Sequence, residues 1–251
     1  MKSICTHMFI YVCRAAQYCF IKRETMSILV EPLNMDFFLQ VPQFEDALET
    51  FQRLDADKQI NLVGELFVKH GCYKEFGLTI VHRHFDMARD EVLVESMDEG
   101  ESMSVSIPWK LENGSDNASP SDPAYWNSFN FLPKDFILPK SWAFNSSGEL
   151  VAFEYVLADE KFTPPNPQFA TELYGLLRQM GLDGIIGLRK LQGIGNSYER
   201  TPEGIRANIV KFEDAPNDMK GVLVSVVWSF NEHGKMKPVQ DCAHYCSHNF
   251  C

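Results

Sequence analysis

Two short runs in this chain of 251 residues concentrate the side chains that bind metal ions or move protons. The first is His82-Arg83-His84-Phe85-Asp86. The second is Cys242-Ala243-His244-Tyr245-Cys246-Ser247-His248-Asn249-Phe250-Cys251, with three of the seven cysteines and two of the seven histidines. On a strand, His82, His84 and Asp86 share one face, because successive side chains alternate. Two imidazoles at i and i+2 then stand close enough to hold one ion, and a carboxylate completes a facial triad. Asp86 is one such carboxylate. Glu91 and Glu95, which alternate along the next strand, are the others, and each of the three is also a candidate catalytic base. The plainer alternative is a pair of strand histidines, hydrogen-bonded or half exposed at a sheet edge.

The C-terminal run does not close a site by itself. In a helix, Cys242 and Cys246 share one face and His244 and His248 another, about 200° away at roughly 100° per residue. In an extended chain all four point the same way but spread too far, at about 3.3 Å per residue. The expected arrangement is therefore two plus two: His82 and His84 joined by Cys242 and Cys246 or by His244 and His248. That supplies the four donors zinc prefers; iron is the other candidate cofactor. An open coordination position would make the ion catalytic, acting on a small-molecule substrate through an acidified water.

Composition narrows the function classes. The formal charge of -11 argues against general nucleic-acid binding, which needs a basic face to displace counterions. Locally, Arg189, Lys190, Arg200, Arg206 and Lys211 outnumber Glu199 and Glu203, leaving a modest basic patch that reads as solvated surface or as an anion site. Arg189 and Arg206 from that patch, Arg83 between the histidines, and Trp142 among the aromatic residues are the candidates for contacting a substrate. Cysteines cluster at the two ends, and Cys72 alone lies between; a disulfide scaffold would spread them through the fold, so a reducing, cytoplasmic setting is expected. No apolar run reaches the length of a membrane span; Arg14 interrupts the one near the start. Residues 1–35 read as a leader outside the fold, either a disordered extension or an upstream start with Met26 or Met35 as the working initiator. Residues 36–230 read as one domain and 231–251 as a Cys/His-rich tail.

The elements that would position these residues follow from periodicity. Phe44, Ala47, Leu48, Phe51 and Leu54 recur at helical spacing, and Ile60, Val63, Leu66 and Phe67 form a second stripe after an acidic turn. Alternation predicts strands at 78–85, 91–96, 103–109, 142–144, 150–157, 184–190, 207–212 and 221–230. A mid-chain helix is marked by Asn166, Pro167 and the stop at Gly181. Residues 111–124 read as a polar loop. Together these predict an α+β fold: a mainly antiparallel sheet covered by an N-terminal helical hairpin and one mid-chain helix.

The His-x-His run departs from two known patterns. Met87 stands where the metallo-β-lactamase superfamily has its third histidine, and Arg89 where a cupin has its glutamate. The runs Phe44–Phe51, Val81–Asp86 with Glu91–Glu95, Ser141–Phe144 and Arg206–Ile209 resemble a group of small fungal proteins that share a His-x-His strand and a Cys/His-rich tail. The resemblance covers roughly residues 36–230 and brings no assigned catalytic residues. Some fungal proteins of this size are arginine-containing cyclodipeptide synthases, which draw on aminoacyl-tRNA. The likeness therefore adds that reaction as an alternative to a metal-dependent enzyme, beside a third, non-enzymatic ligand-binding or adaptor role.

Overall fold

The computed structural model describes residues 35–98, 102–111, 131–132, 137–157, 163–191, 195–202, 204–217, 219 and 223–243. The predicted leader up to residue 34, most of the predicted 111–124 loop, and the candidate ligands His244, Cys246 and His248 lie outside these residues.

Short helices come first: α1 (Met35–Phe38), α2 (Phe44–Arg53), α3 (Ala56–Ile60), a 3-10 turn (Asn61–Val63) and α4 (Gly64–Lys69). The apolar stripe of α2 is the one the spacing predicts, with Phe44, Ala47, Leu48 and Phe51 buried. The second predicted helix is instead broken into α3, the turn and α4. The mid-chain helix α5 (Pro167–Met180) forms between its expected signals. The Asn166 side chain accepts from the backbone amides of Gln168 (2.8 Å) and Phe169 (3.3 Å), and Gly181 ends the helix in the left-handed conformation.

Eleven strands are described: β1 (Phe76–Ile80), β2 (Glu91–Asp98), β3 (Met103–Leu111), β4 (Phe131–Leu132), β5 (Ile137–Phe144), β6 (Leu150–Leu157), β7 (Ile186–Lys190), β8 (Ser197–Arg200), β9 (Asn208–Lys211), β10 (Leu223–Phe230) and β11 (Met236–Ala243). Their order is β2-β6-β5-β7-β1-β10-β11-β8-β9-β3-β4, and β2 also pairs with β3. That last pairing closes ten strands into a ring, with β4 appended to the end of β3. Pairing is mixed, since β2–β6, β8–β11 and β3–β4 run parallel.

The predicted α+β sheet covered by a helical hairpin is therefore corrected to a closed, mostly β barrel. Within the residues read as a tail, Met236–Ala243 is a barrel strand, held between β10 and β8.

Register shows which side faces in. Cross-strand partners share a face, so the paired residues can be followed around the ring. Glu95 stands opposite Ser106, and Ser106 opposite Asn208; two residues on, Val210 faces Glu199. Glu199 lies beside Cys242; Gln240, two residues before it, faces Val227; Val227 faces Thr79, and Thr79 faces Gly187. Arg189, on the Gly187 face, stands opposite Ser141, Ser141 opposite Glu154, and Glu154 beside Leu93, which returns the circuit to β2. This face is mostly polar, yet Glu95, Ser106, Asn208, Glu199, Gln240, Thr79, Arg189 and Ser141 are all buried. It is the lumen.

The opposite face is apolar. Trp228, Leu78, Leu188 and Trp142 are successive partners on it, and they join Phe51, Ile60 and Phe67 of the front helices and Phe169, Leu173 and Leu177 of α5 in one core. Burying each such side chain contributes about 1.5–3 kcal/mol. The main hydrophobic core thus lies outside the barrel wall, under the helices. Gly77 and Gly187 help the wall curve: a Cβ at either would collide with a carbonyl oxygen of the adjacent strand, Trp228 and Trp142 respectively. Among the described residues, no helix is long and apolar enough to cross a membrane.

Candidate metal centre

β1 ends at Ile80, so His82 and His84 lie on the irregular segment beyond it rather than on a strand. The Val81 amide still donates to the Ile185 carbonyl (2.9 Å). Arg83 then bridges to the front helices, its amide donating to Pro42 O (2.9 Å) and its carbonyl accepting from the Phe44 amide (3.2 Å). This turn brings both imidazoles over the lumen, with the Phe44 ring against each of them at 5.0 and 5.9 Å between centroids.

There they meet Glu199 from β8 and Cys242 from β11. One donor atom from each of the four residues lies within 4.8 Å of the other three. His82 Nε2 is 3.1 Å from His84 Nε2 and 3.4 Å from Glu199 Oε1; His84 Nε2 is 3.6 Å from Glu199 Oε1 and 3.9 Å from Cys242 Sγ. A tetrahedral ion with ligand bonds of about 2.0–2.3 Å sets its donors roughly 3.3–3.8 Å apart. The two imidazole–carboxylate distances fall in that range, and the other two stand a few tenths of an ångström outside it. The four donors are also withdrawn from solvent, with side-chain exposures of 8% for His82, 10% for His84 and 3% for Glu199, and Cys242 fully buried.

The surrounding hydrogen bonds aim the donors. His82 Nδ1 is 2.9 Å from the Ile80 carbonyl, which can only accept. The proton is therefore on Nδ1, and Nε2 presents its lone pair to the cluster unless the ring is doubly protonated. Glu199 Oε2 accepts from Asn208 Nδ2 (2.8 Å) and Gln240 Nε2 (2.9 Å), while the buried Oε1 receives no hydrogen bond and faces the two imidazoles. Such anchoring of ligands by neighbouring groups is the usual second half of a metal site. Burial disfavours the charged form of Glu199, but His82 and His84 outweigh it and hold the carboxyl well below its ordinary range. Burial likewise works against the His82 imidazolium, and the Glu199 carboxylate, with the Ile80 carbonyl and Glu154, overcomes it and raises the pKa.

The other predicted site residues are placed elsewhere. Asp86 is 81% exposed and bonded to Arg83 Nη1 (2.8 Å), because the chain has left the strand geometry that would have aligned it with the histidines. Glu91 takes Arg206 and the Ala88 amide (2.7 Å) as partners. Glu95 does point into the lumen, paired there with Lys140 and 3.8 Å from Arg189 Nη2. Burial would raise its pKa, but the charges of Lys140 and Arg189 bring it below the ordinary carboxylate value. Arg189 is not part of a surface patch: it is buried in the lumen, donating to Ser141 Oγ (3.1 Å) and Glu154 Oε2 (2.5 Å). Burial opposes its charge, and Glu154, Glu95 and Glu199 restore it. Arg206 pairs with Glu91, and Lys211 lies 3.7 Å from Glu213. Three of the five cations of the predicted basic patch, Arg189, Arg206 and Lys211, are thus matched by acids. Trp142 is in the outer core, edge-on to Phe76 at 6.0 Å.

Glu199 is the member that sequence patterning misses. It lies on a four-residue strand inside a charged stretch, and no spacing ties it to the histidines.

Comparisons with models of known protein families, with curated proteins and with solved structures give no match.

Proposed function

We propose that this chain is a metal-binding protein that holds one divalent transition ion, zinc first among them, between His82, His84, Glu199 and Cys242. The observation that carries the reading is the buried Glu199 Oε1, which receives no hydrogen bond and faces two imidazole nitrogens at the edge lengths of a tetrahedral site. Two imidazoles, a carboxylate and a thiolate suit zinc, whereas an iron facial triad needs open positions that a fourth protein donor fills.

Charge supports the same reading. Along the lumen, Lys140 and Arg189 face Glu95, Glu154 and Glu199, an excess of one negative charge in a low-dielectric space. A divalent ion with Cys242 as thiolate brings the total to zero, which is what burial of charge demands.

Four donors and no exposed face favour a resident, non-catalytic ion over one that activates water. Glu199 is tied by Asn208 and Gln240, so the donor that would have to leave to admit a water is itself held in place. The ion would staple the segment after β1 to the parallel seam of β8 and β11.

Elemental analysis of untagged protein tests this. About one equivalent of zinc is expected, falling below about a tenth in Cys242→Ser with Glu199→Gln. Cobalt(II) in its place is expected to give the intense visible bands of a tetrahedral thiolate complex. Wild-type protein that takes up no transition metal, as purified or after exposure to zinc, would sink the reading.

A further inference from the structure

The four donors divide into two unequal halves. Glu199 and Cys242 stand side by side on paired strands, whereas His82 and His84 ride on a segment outside any strand. An ion buried this deeply can leave only when one half moves, and the irregular half is the one outside the strand ladder.

Val81 and Arg83 are bonded by their backbones to Ile185, Pro42 and Phe44, and the later part of the segment, Asp86–Ala88, is tied through one residue. Arg206, from the segment before β9, donates Nε to the Asp86 carbonyl (3.1 Å) and both terminal nitrogens to the Glu91 carboxylate. Glu91 in turn accepts from the Ala88 amide, so the two ion-paired side chains gather Asp86, Ala88 and Glu91 into one knot. Met87, buried with Phe38, Val41 and Phe153, pegs the same stretch from below. The Arg206 side chain is 48% exposed and that of Glu91 10% exposed, so the knot sits at the surface, within reach of salt.

We propose that Val81–Asp90 is a hinged cover carrying half of the metal cage, and that the Arg206–Glu91 ion pair is the latch that sets how fast the ion enters and leaves. This rests on the metal-binding reading above. Arg206 touches no ligand atom, so it is a positioning residue: it acts on the rate of exchange and leaves the donor set as it is.

The test is zinc release from the full chain into excess colour-forming chelator, followed in wild type, Arg206→Ala, Glu91→Gln and the exchanged pair Arg206→Glu with Glu91→Arg. Release is expected to quicken about five- to twentyfold in either single variant, the scale of a lost charge-assisted hydrogen-bond pair. Zinc content and the cobalt spectrum are expected to stay as in wild type, and the exchanged pair to recover part of the slow rate. Raising salt is expected to speed release from wild type and to leave Arg206→Ala unmoved, a difference that a merely structural role would not produce. Equal release rates in wild type and both single variants, with zinc bound in each, overturn the latch while leaving the metal site standing. Absence of zinc from the wild-type protein overturns both.

Discussion

Cys242 and Glu199 are register partners across the parallel pairing of β11 and β8, so a thiol and a carboxylate stand side by side on the lumen face of adjacent strands. Two strands that are far apart in sequence thereby present a ready half-cage to the two histidines beyond β1.

A resident ion stabilises the folded chain in proportion to how far its concentration exceeds the dissociation constant. At a thousandfold excess this is about 4 kcal/mol. For a protein of this size that is about 10 °C in Tm. Thermal unfolding with zinc and with chelator is expected to differ by that much in wild type and by little in Cys242→Ser.

Asn208 and Gln240 hold the Glu199 oxygen that faces away from the cage. Asn208→Ala and Gln240→Ala are each expected to keep one equivalent of zinc but to weaken binding about 10- to 100-fold. Competition against a chromophoric chelator of known affinity measures this. Unchanged affinity in both variants would mean that these amides do not orient the carboxylate.

The Lys140–Glu95 pair is buried in the lumen, with side-chain exposures of 3% and 4%. Lys140→Met and Glu95→Gln are each expected to cost about 3–5 kcal/mol, because each breaks a buried ion pair from one side. The double variant is expected to cost clearly less than the two together. Denaturant unfolding of the four proteins completes the cycle.

Glu172 on α5 clamps α4, bonded to Lys69 (2.6 Å) and near His70 (3.3 Å). The hydrogen bond from Lys69, then the neighbouring His70, lowers its pKa from 4.5 to about 2. A depressed carboxylate contributes stability above its unfolded value and loses it as pH falls through the folded one. The stability gap between wild type and Glu172→Gln is therefore expected to be constant from neutral pH down to about 5, and to close between 4.5 and about 2. High salt is expected to narrow it throughout, since the pair is exposed.

Much of the local structure was legible in the sequence. The helix Pro167–Met180 carries its own start and stop, and the stripe of Phe44, Ala47, Leu48 and Phe51 buries as its spacing demands. The histidine pair was legible too, because i and i+2 placed both imidazoles near one point even though the strand stops short of them. The ring was not. Ser104 and Ser106 on β3, or Glu95 on β2, alternate with apolar residues just as the wet face of an open sheet would, and only the β2–β3 closure turns that face inward. Asp86 was not legible for the same kind of reason: alignment with the histidines needs a strand, and at the Arg83 bridge to Gln43 the chain leaves strand geometry.

The separation of the donors along the chain has a consequence for how the protein is made. His84 precedes Cys242 by 158 residues, so on the ribosome the two imidazoles emerge long before the thiol that completes their cage. Neither β8 nor β11 can then lend its half of the site, and the ring has no closing seam. On the proposed reading, metal capture would be a late event in the life of the nascent polypeptide, one that would distinguish a finished barrel from a chain released before its β11 strand.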